Sequence, residues 1–564
     1  MKHSVLCYAV ATAVAIFVTS CVDDDYDLTD IDSTVRLQVK ELTIPVTLDP
    51  IEMSTVLSES DNIKIVNGAY SVSETGRFTS SPVKINSINL SFNTSGSVTN
   101  NIELPWNSGT QQPTDNEVFL PVSSDNISFN LQSNDVPSEI QSIEEIKGDF
   151  TLTFDIAFSS QSVRNLKNGK IQLPKGLITE NANYNPSTGV FTISSKKLVN
   201  GKLTIVLNCT GINYAQSGAS FNPKNHTAIL SGNVRIISGD ISIDNSTGNL
   251  PNSLSLTTSY HMSPISVKKF TGRIKYDIKG VNISDVDLSD LPDLLNQEGT
   301  QISLSNPQIY LNVENPLYTY GLGATASLSI TKHFAPEQGS PEQTYSSDLI
   351  NVSNAASSAY VLAPRKPDQI AEGFSNPTFV RFADLSEVLL GNGLPKTLSI
   401  DLIDPQVYEQ RVEDLVLGEE LGIVNGTYDF VAPLQLNANS QFVYTTTEDG
   451  WNDDDVDKIT VQTLIVKAIA TSTAPFALHV EAYPIDVNGN KINNVEIVGA
   501  DLGANCKNQE LVIRITGEVT HLDGIHIVAK GYTSDNMTKP ISPDQSLTLN
   551  NLKATVSGYY DTEL

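Results

Sequence analysis

The chain has 564 residues, with 35 Lys and Arg against 64 Asp and Glu, and a formal net charge of −29 at pH 7. So acidic a body repels phosphate backbones, which argues against nucleic acid as a partner, while the length allows several domains that each bury a core. The 4 cysteines are too few for a disulfide framework.

The chain opens with Lys2 and His3, followed by an apolar run from Val5 to Val18. That run is shorter than the roughly 17–25 residues a membrane-spanning helix needs, but it has the length of the apolar part of a secretory signal. Val18-Thr19-Ser20-Cys21 resembles the bacterial lipobox. The resemblance implies a signal peptide over 1–20, cleavage before Cys21, and a lipid on the Cys21 sulfur and the new amine. Two or three acyl chains anchor stably where one does not. An ordinary signal peptide with a coincidental Cys is the alternative. Asp fills six of the ten positions 23–32, so 21–35 reads as an acidic, flexible stalk. Asp23, Asp24 and Asp25 directly after the Cys resemble the export signal of Bacteroidota-type surface lipoproteins, which implies an outer-membrane protein facing outward, with a periplasm-facing anchor as the alternative. Asp32-Ser33-Thr34 resembles the short O-glycosylation acceptor of exported proteins from such bacteria, with Ser33 as the candidate. No second long apolar run follows, so lipid is the expected membrane attachment.

From residue 36 onward, period-2 alternation dominates. Ile88, Leu90 and Phe92 interleave with Asn89, Ser91 and Asn93; Leu152, Phe154, Ile156 and Phe158 interleave with Thr153, Asp155 and Ala157; Ile309, Leu311 and Val313 interleave with Tyr310, Asn312 and Glu314. This is the pattern of half-buried antiparallel sheet. Asn-Gly at 67–68, 168–169, 200–201, 425–426 and 488–489, and Asp-Gly at 523–524, suit two-residue hairpins because these pairs tolerate positive φ. The expected class is all-β: tandem antiparallel β-sandwich modules with a few short capping helices. The modules are expected at 36–140, 141–262, 263–405 and 406–564. Ile65-Val66-Asn67-Gly68-Ala69-Tyr70 recurs as Ile423-Val424-Asn425-Gly426-Thr427-Tyr428, which argues for related modules in tandem. An acid–apolar–Ser/Thr pattern recurs at 27–31, 52–56, 287–291 and 384–388; its last three copies read as short helices with Ser as N-cap. Segments 334–346 and 363–378 are Pro-, Gly- and polar-rich, hence long loops or linkers. The stretch Leu304 to Leu317, with its strand bounded by Asn306-Pro307 and Asn315-Pro316, resembles a strand of late-embryogenesis-abundant-like β-sandwiches.

Cys209 shares an alternating apolar face with Leu203, Ile205 and Leu207, so a buried free thiol is preferred over a bridge to Cys506. The serine-hydrolase elbow, the zinc-protease helix motif, the phosphate-binding loop and Cys-x-x-Cys are all missing, and catalysis is not expected. If Asp523-Gly524 makes a two-residue turn, His521 and His526 face each other at about 4.5–5.5 Å between Cβ atoms. Two histidines are an incomplete metal site, since zinc takes three or four protein ligands, and an exposed hairpin tip is the default. Residues 448–457 gather Asp449, Asp453, Asp454 and Asp455 around Trp451. These five form the candidate ligand patch, for a glycan stacked on the indole or for Ca²⁺, although the spacing fits no EF-hand. The competing account packs Trp451 back on its own sheet, as it does Trp106.

These residues together resemble a lipid-anchored Bacteroidota-type surface lipoprotein that binds or scaffolds without catalysis. The expected partner is a glycan, as in a surface glycan-binding protein of a polysaccharide-uptake system, or an envelope or host protein, as for a fimbrillin-like adhesin subunit. A glycoside-active enzyme is the rival class, and a pair of acids across a cleft is its mark.

Overall fold

The computed structural model describes residues 34–45, 49–60, 62–92, 95–108, 112–289, 291, 295, 297, 299–336, 339–390, 394–454 and 456–563. Over these residues the chain is all-β, with two four-residue α-helices, Met53–Val56 and Tyr214–Ser217, and several short 3-10 turns. The alternation does what its period dictates. In Ile140–Phe158, residues Phe150, Leu152, Phe154, Ile156 and Phe158 are buried while Thr151, Thr153 and Asp155 are half-buried on the other face. Each apolar side chain so buried contributes roughly 1.5–3 kcal/mol relative to exposure.

Three pairs of facing sheets make the body. A nine-stranded sheet that includes Ile127–Ser133, Val163–Gln172 and Thr227–Asp244 covers one half of an eleven-stranded sheet. Their shared core holds Phe129, Leu131, Ile171 and Ile236 from one side and Leu152, Phe154, Leu207 and Tyr260 from the other. Phe129 meets Tyr260 edge-on across it, with ring centres 6.3 Å apart. A seven-stranded sheet centred on Gln308–Glu314 covers the other half, where Ile309, Leu311 and Val313 share a core with Leu328, Ile330 and Ile400. At the C-terminal end, a six-stranded sheet lies against a four-stranded one, with Leu464, Val466, Ile513 and Val556 packed with Phe442, Val480 and Ile525.

One strand, Thr397–Val416, ties the first two pairs together. Its first part pairs with Ala324–His333 and its second with Lys269–Asp277. Asp404 between them has φ 48°, a left-handed kink that Asp tolerates better than most residues. An irregular register at this point turns the strand from one sandwich toward the other.

The expected module boundaries do not follow the sheets. Thr397–Val416 runs through 405/406, Ile140–Phe158 begins at 140, and Ala69–Thr79 pairs with Asn425–Pro433. Pairing between distant segments leaves no trace in local periodicity. The two copies of the Ile-Val-Asn-Gly repeat therefore feed neighbouring strands of one sheet rather than two modules.

Identical dipeptides serve different ends. Asn67-Gly68 has φ of 53° and 79° and closes the hairpin between Ile63–Val66 and Ala69–Thr79. Asn200-Gly201 turns between Val199 and Lys202, and Asn488-Gly489 lies in the loop closed by Ile485 and Lys491. Asn168 is a bulge inside a strand. Gly426 lies within a strand, where a Cβ would collide with the Asn312 carbonyl and the Phe78 ring. Of the acid–apolar–Ser/Thr copies, Met53–Val56 is an α-helix and Leu385–Glu387 a 3-10 turn. The cap positions are Glu52 and Asp384, with the serines inside the turns, and neither cap's side chain accepts from an amide of its turn, although Glu52 accepts from the Ser54 hydroxyl at 3.1 Å.

Candidate functional site

Cys21, Asp23, Asp24, Asp25, Ser33 and Asp455 lie outside the described residues. Trp451 does not form a surface platform. It opens the 3-10 turn Trp451–Asp454, is only 8% exposed, and belongs to the core shared by the six- and four-stranded sheets. Asp449 beside it is exposed. The turn is held by Asp523, whose carboxylate accepts from the Asn452 amide at 2.9 Å and whose carbonyl accepts from the Trp451 amide at 2.8 Å. Asp523 is therefore buried, and Asp523-Gly524 starts the strand Gly524–Tyr532 instead of turning a hairpin. Trp106 is likewise 7% exposed, its indole N–H donating to the Pro251 carbonyl.

The expected opposition of His521 and His526 does not form. His526 pairs with Thr447 and Tyr483 on its two sides, and its Nδ1 lies 2.8 Å from the Thr447 hydroxyl. The strand before His521 belongs to the six-stranded sheet and the strand after it to the four-stranded sheet, so no hairpin joins them. Among the described residues, no three His, Cys, Asp or Glu side chains converge as a metal-holding group. Cys209 and Cys506 are both free and sit in different cores. Burial pushes the Cys209 thiol up to about 12.

A cleft of about 370 Å³ lies on the outer face of the seven-stranded sheet, built from five distant stretches of chain. Its origin is a topological necessity. Ser357–Ala363 and Thr378–Arg381 pair in parallel, and a parallel pair needs a long crossover. Residues 364–377 supply it by running over the sheet, where Ala371 and Phe374 pack on Tyr310, Val361 and Val431. Phe374 lies on Tyr310 with ring centres 4.7 Å apart, and the Ala371 amide donates to the Tyr310 hydroxyl at 3.0 Å. The Pro-rich segment expected as a long loop or linker is a long loop, and it walls the cleft.

Ala69, Ala371, Val431, Pro433 and Pro540 make the apolar floor. Around it stand Asn67 at its hairpin tip, Asn306 and Gln308 entering the central strand, Asp368 and Gln369 on the crossover, and Gln435 beyond Asn425–Pro433. Several of these are already committed. The Asn306 side-chain oxygen accepts from the Arg365 amide at 3.1 Å, the Gln308 oxygen accepts from the Tyr310 hydroxyl, and Gln435 donates to the Met537 carbonyl at 2.8 Å. Those bonds fix the walls. Asn67, Asp368 and Gln369 are exposed, and among the described residues their side chains have no hydrogen-bond partner. The rim therefore offers two amides and one carboxylate, donors and acceptors together. Asn67 and Asn306 fall in stretches that drew notice in the sequence; nothing local shows that residues some 240 positions apart meet.

No helix among the described residues is long and apolar enough to cross a membrane, which says nothing of a strand-built barrel. No protein-family model and no curated protein matches the chain. Among solved structures, the chain is similar to a protein of Parabacteroides distasonis described as secreted, at 16% identity over 52% of this chain and 90% of that one, with a TM-score of 0.37. It also matches the triple jelly-roll turret protein of an archaeal virus, at 11% identity over 84% of this chain and 90% of that one, with a TM-score of 0.11. The PBSX exported protein XepA matches at 10% identity over 49% and 84% of the two chains, also with a TM-score of 0.11.

Proposed function

We propose that this chain is a lipid-anchored protein of the outer-membrane surface that binds rather than catalyses, and that it holds a hydroxyl-rich ligand, a glycan, in the cleft over the seven-stranded sheet. Val18-Thr19-Ser20-Cys21 and the acids after it support the anchor and its outward face. The observation that carries the ligand reading is the cleft rim, where Asn67, Asp368 and Gln369 offer unpaired donors and acceptors above a fixed apolar floor. Sugars present hydroxyls that both donate and accept, which amides and carboxylates match, and apolar C–H faces that suit such a floor. A glycoside-active site takes two carboxyl groups about 5–9.5 Å apart; the cleft wall has one, Asp368.

The test is a glycan array probed with wild type and with the double variant Asp368→Ala, Gln369→Ala. At least tenfold weaker retention at unchanged Tm supports the cleft. Equal retention removes it, and release of reducing sugar from a bound glycan removes the non-catalytic reading. An assembly subunit is the second reading, favoured by the N-terminal strand Thr34–Pro45, which is an edge strand of the six-stranded sheet and could be exchanged between copies.

A further inference from the structure

A second cavity lies inside the fold, between the seven-stranded sheet and the half of the eleven-stranded sheet it covers. We infer that this interlayer cavity is a binding site for one unbranched alkyl chain, independent of the cleft proposed for glycan.

The void has a cause in the sequence. On the core face of Ala324–His333, Leu328 and Ile330 fill their share of the space between the sheets, but Ala324 and Ala326 stop at Cβ. Opposite them stand Ile309, Leu311 and Val313, which do not reach across. Pro405, next to the Asp404 kink, lines the same space, so the two sheets part where the long strand bends. The cavity amounts to about 60 Å³, room for about four to six water-sized spheres.

Water has nothing to hold there. Ser80 already donates to the Ser81 carbonyl and accepts from the Val424 amide. Asn315 donates to the Leu322 and Ser353 carbonyls and accepts from the Leu317 amide. The Tyr428 hydroxyl donates to the Ser284 carbonyl at 2.7 Å. Strand alternation turns Thr325 away from the face that carries Ala324 and Ala326. A cavity with apolar walls and no open hydrogen-bond partner stays dry and takes apolar guests. Its outer end is ringed by half-buried aliphatic side chains, Val281, Ile283, Val352, Leu402 and Val424, so a guest would enter past hydrocarbon. The small volume suits a slender chain of a few methylenes rather than a fused ring system. With no charged group in the wall, the head group should not matter.

The full chain carrying Cys21→Ala, purified without detergent so that no attached lipid competes, is titrated with hexanoic acid and with hexanol while Tm is followed. Both should raise Tm in a saturable way, as any ligand of the native state does, and with similar apparent affinity. Ala326→Leu fills the void, so its own Tm should hold or rise while affinity for both ligands falls at least tenfold. Should Ala326→Leu melt several degrees lower by overpacking, Ala324→Val carries the same comparison. No saturable shift with either ligand overturns the proposal, as does equal affinity in wild type and a stably folded filled variant. A shift with hexanoic acid alone also overturns it, because that would be recognition of a carboxylate. None of these readouts depends on Asp368 or Gln369, so failure here leaves the glycan reading standing, and the reverse.

Discussion

Arg36 forks onto Asp561, with Nε and Nη2 at 2.8 and 2.9 Å from its two carboxylate oxygens, and the guanidinium lies 3.8 Å from the centre of the Tyr559 ring. The first described strand is thereby clamped to the last along a ladder from Thr34↔Glu563 to Pro45↔Lys553. Removing residues 22–45 should strip that cover from an 18-residue strand. Unpaired strand edges template association, so the shortened chain is expected to elute as dimers and larger species where the full chain carrying Cys21→Ala is monodisperse. Light scattering on the eluting peaks checks this.

Trp451→Ala should cost about 3–5 kcal/mol, the range for emptying a large aromatic from a core, because the indole is 8% exposed. Glycan retention on the array should survive at temperatures where the variant is folded. Thermal melts alongside array binding separate the two; unchanged melting with lost binding would return the indole to the surface.

Gly426→Ala and Gly68→Ala put the same methyl on the two copies of one repeat. At Gly68 the space is open and the penalty is the left-handed φ of 79°, about 1 kcal/mol. At Gly426 the methyl meets the Asn312 carbonyl and the Phe78 ring, so a cost of about 1–3 kcal/mol or more is expected. Urea midpoints for the pair should fall in that order.

His479 gives stability a pH dependence of known sign. Its Nδ1 lies 2.7 Å from Asp501 and its Nε2 3.2 Å from Glu481. The bond to Asp501 is the main cause that holds the imidazole above its ordinary value. A folded value raised above the unfolded one stabilises fully below the unfolded pKa of about 6.5, and the gain disappears as pH rises through the folded value. Lys530 faces the same Glu481 at 3.7 Å. The Tm advantage of wild type over Asp501→Asn should therefore be larger at pH 6 than at pH 8.5. A difference that does not change with pH would break the assignment.

Cys21→Ala should move the protein from the membrane to the soluble fraction and remove acyl mass from its N-terminal peptide. Replacing Asp23, Asp24 and Asp25 by Ala should keep the lipid and give protection from protease added to intact cells. Fractionation and shaving, run side by side, check the anchor and the export signal separately.

What could be read in the chain was local. Alternation at 152–158 and 309–314 marks strands because burial on one face acts on every second residue. Met53–Val56 and Leu385–Glu387 were visible as short turns. What escaped was pairing at a distance. No periodicity says that Ala69–Thr79 lies beside Asn425–Pro433, or that Asp523, read as a turn, would hold the backbone around Trp451. The cleft depends on five such meetings, so its residues looked like ordinary loop asparagines, glutamines and an aspartate. Trp451 misled for the opposite reason: its acidic neighbours advertise water, while the indole itself turns inward.

The ladder between the two ends of the chain also sets an order of assembly. Arg36 and Asp561 are 525 positions apart, so during synthesis Thr34–Pro45 stays without its partner until residues 553–563 have emerged. The nine-stranded sheet, whose strands all lie between 88 and 267, can close long before. A chain that stops between residues 267 and 546 can fold that early portion but lacks Ser546–Glu563, the partner of Thr34–Pro45. A copy that lacks Ser546–Glu563 would therefore carry Thr34–Pro45 without its partner, an open edge by which a protease or chaperone could tell it from a copy that has both.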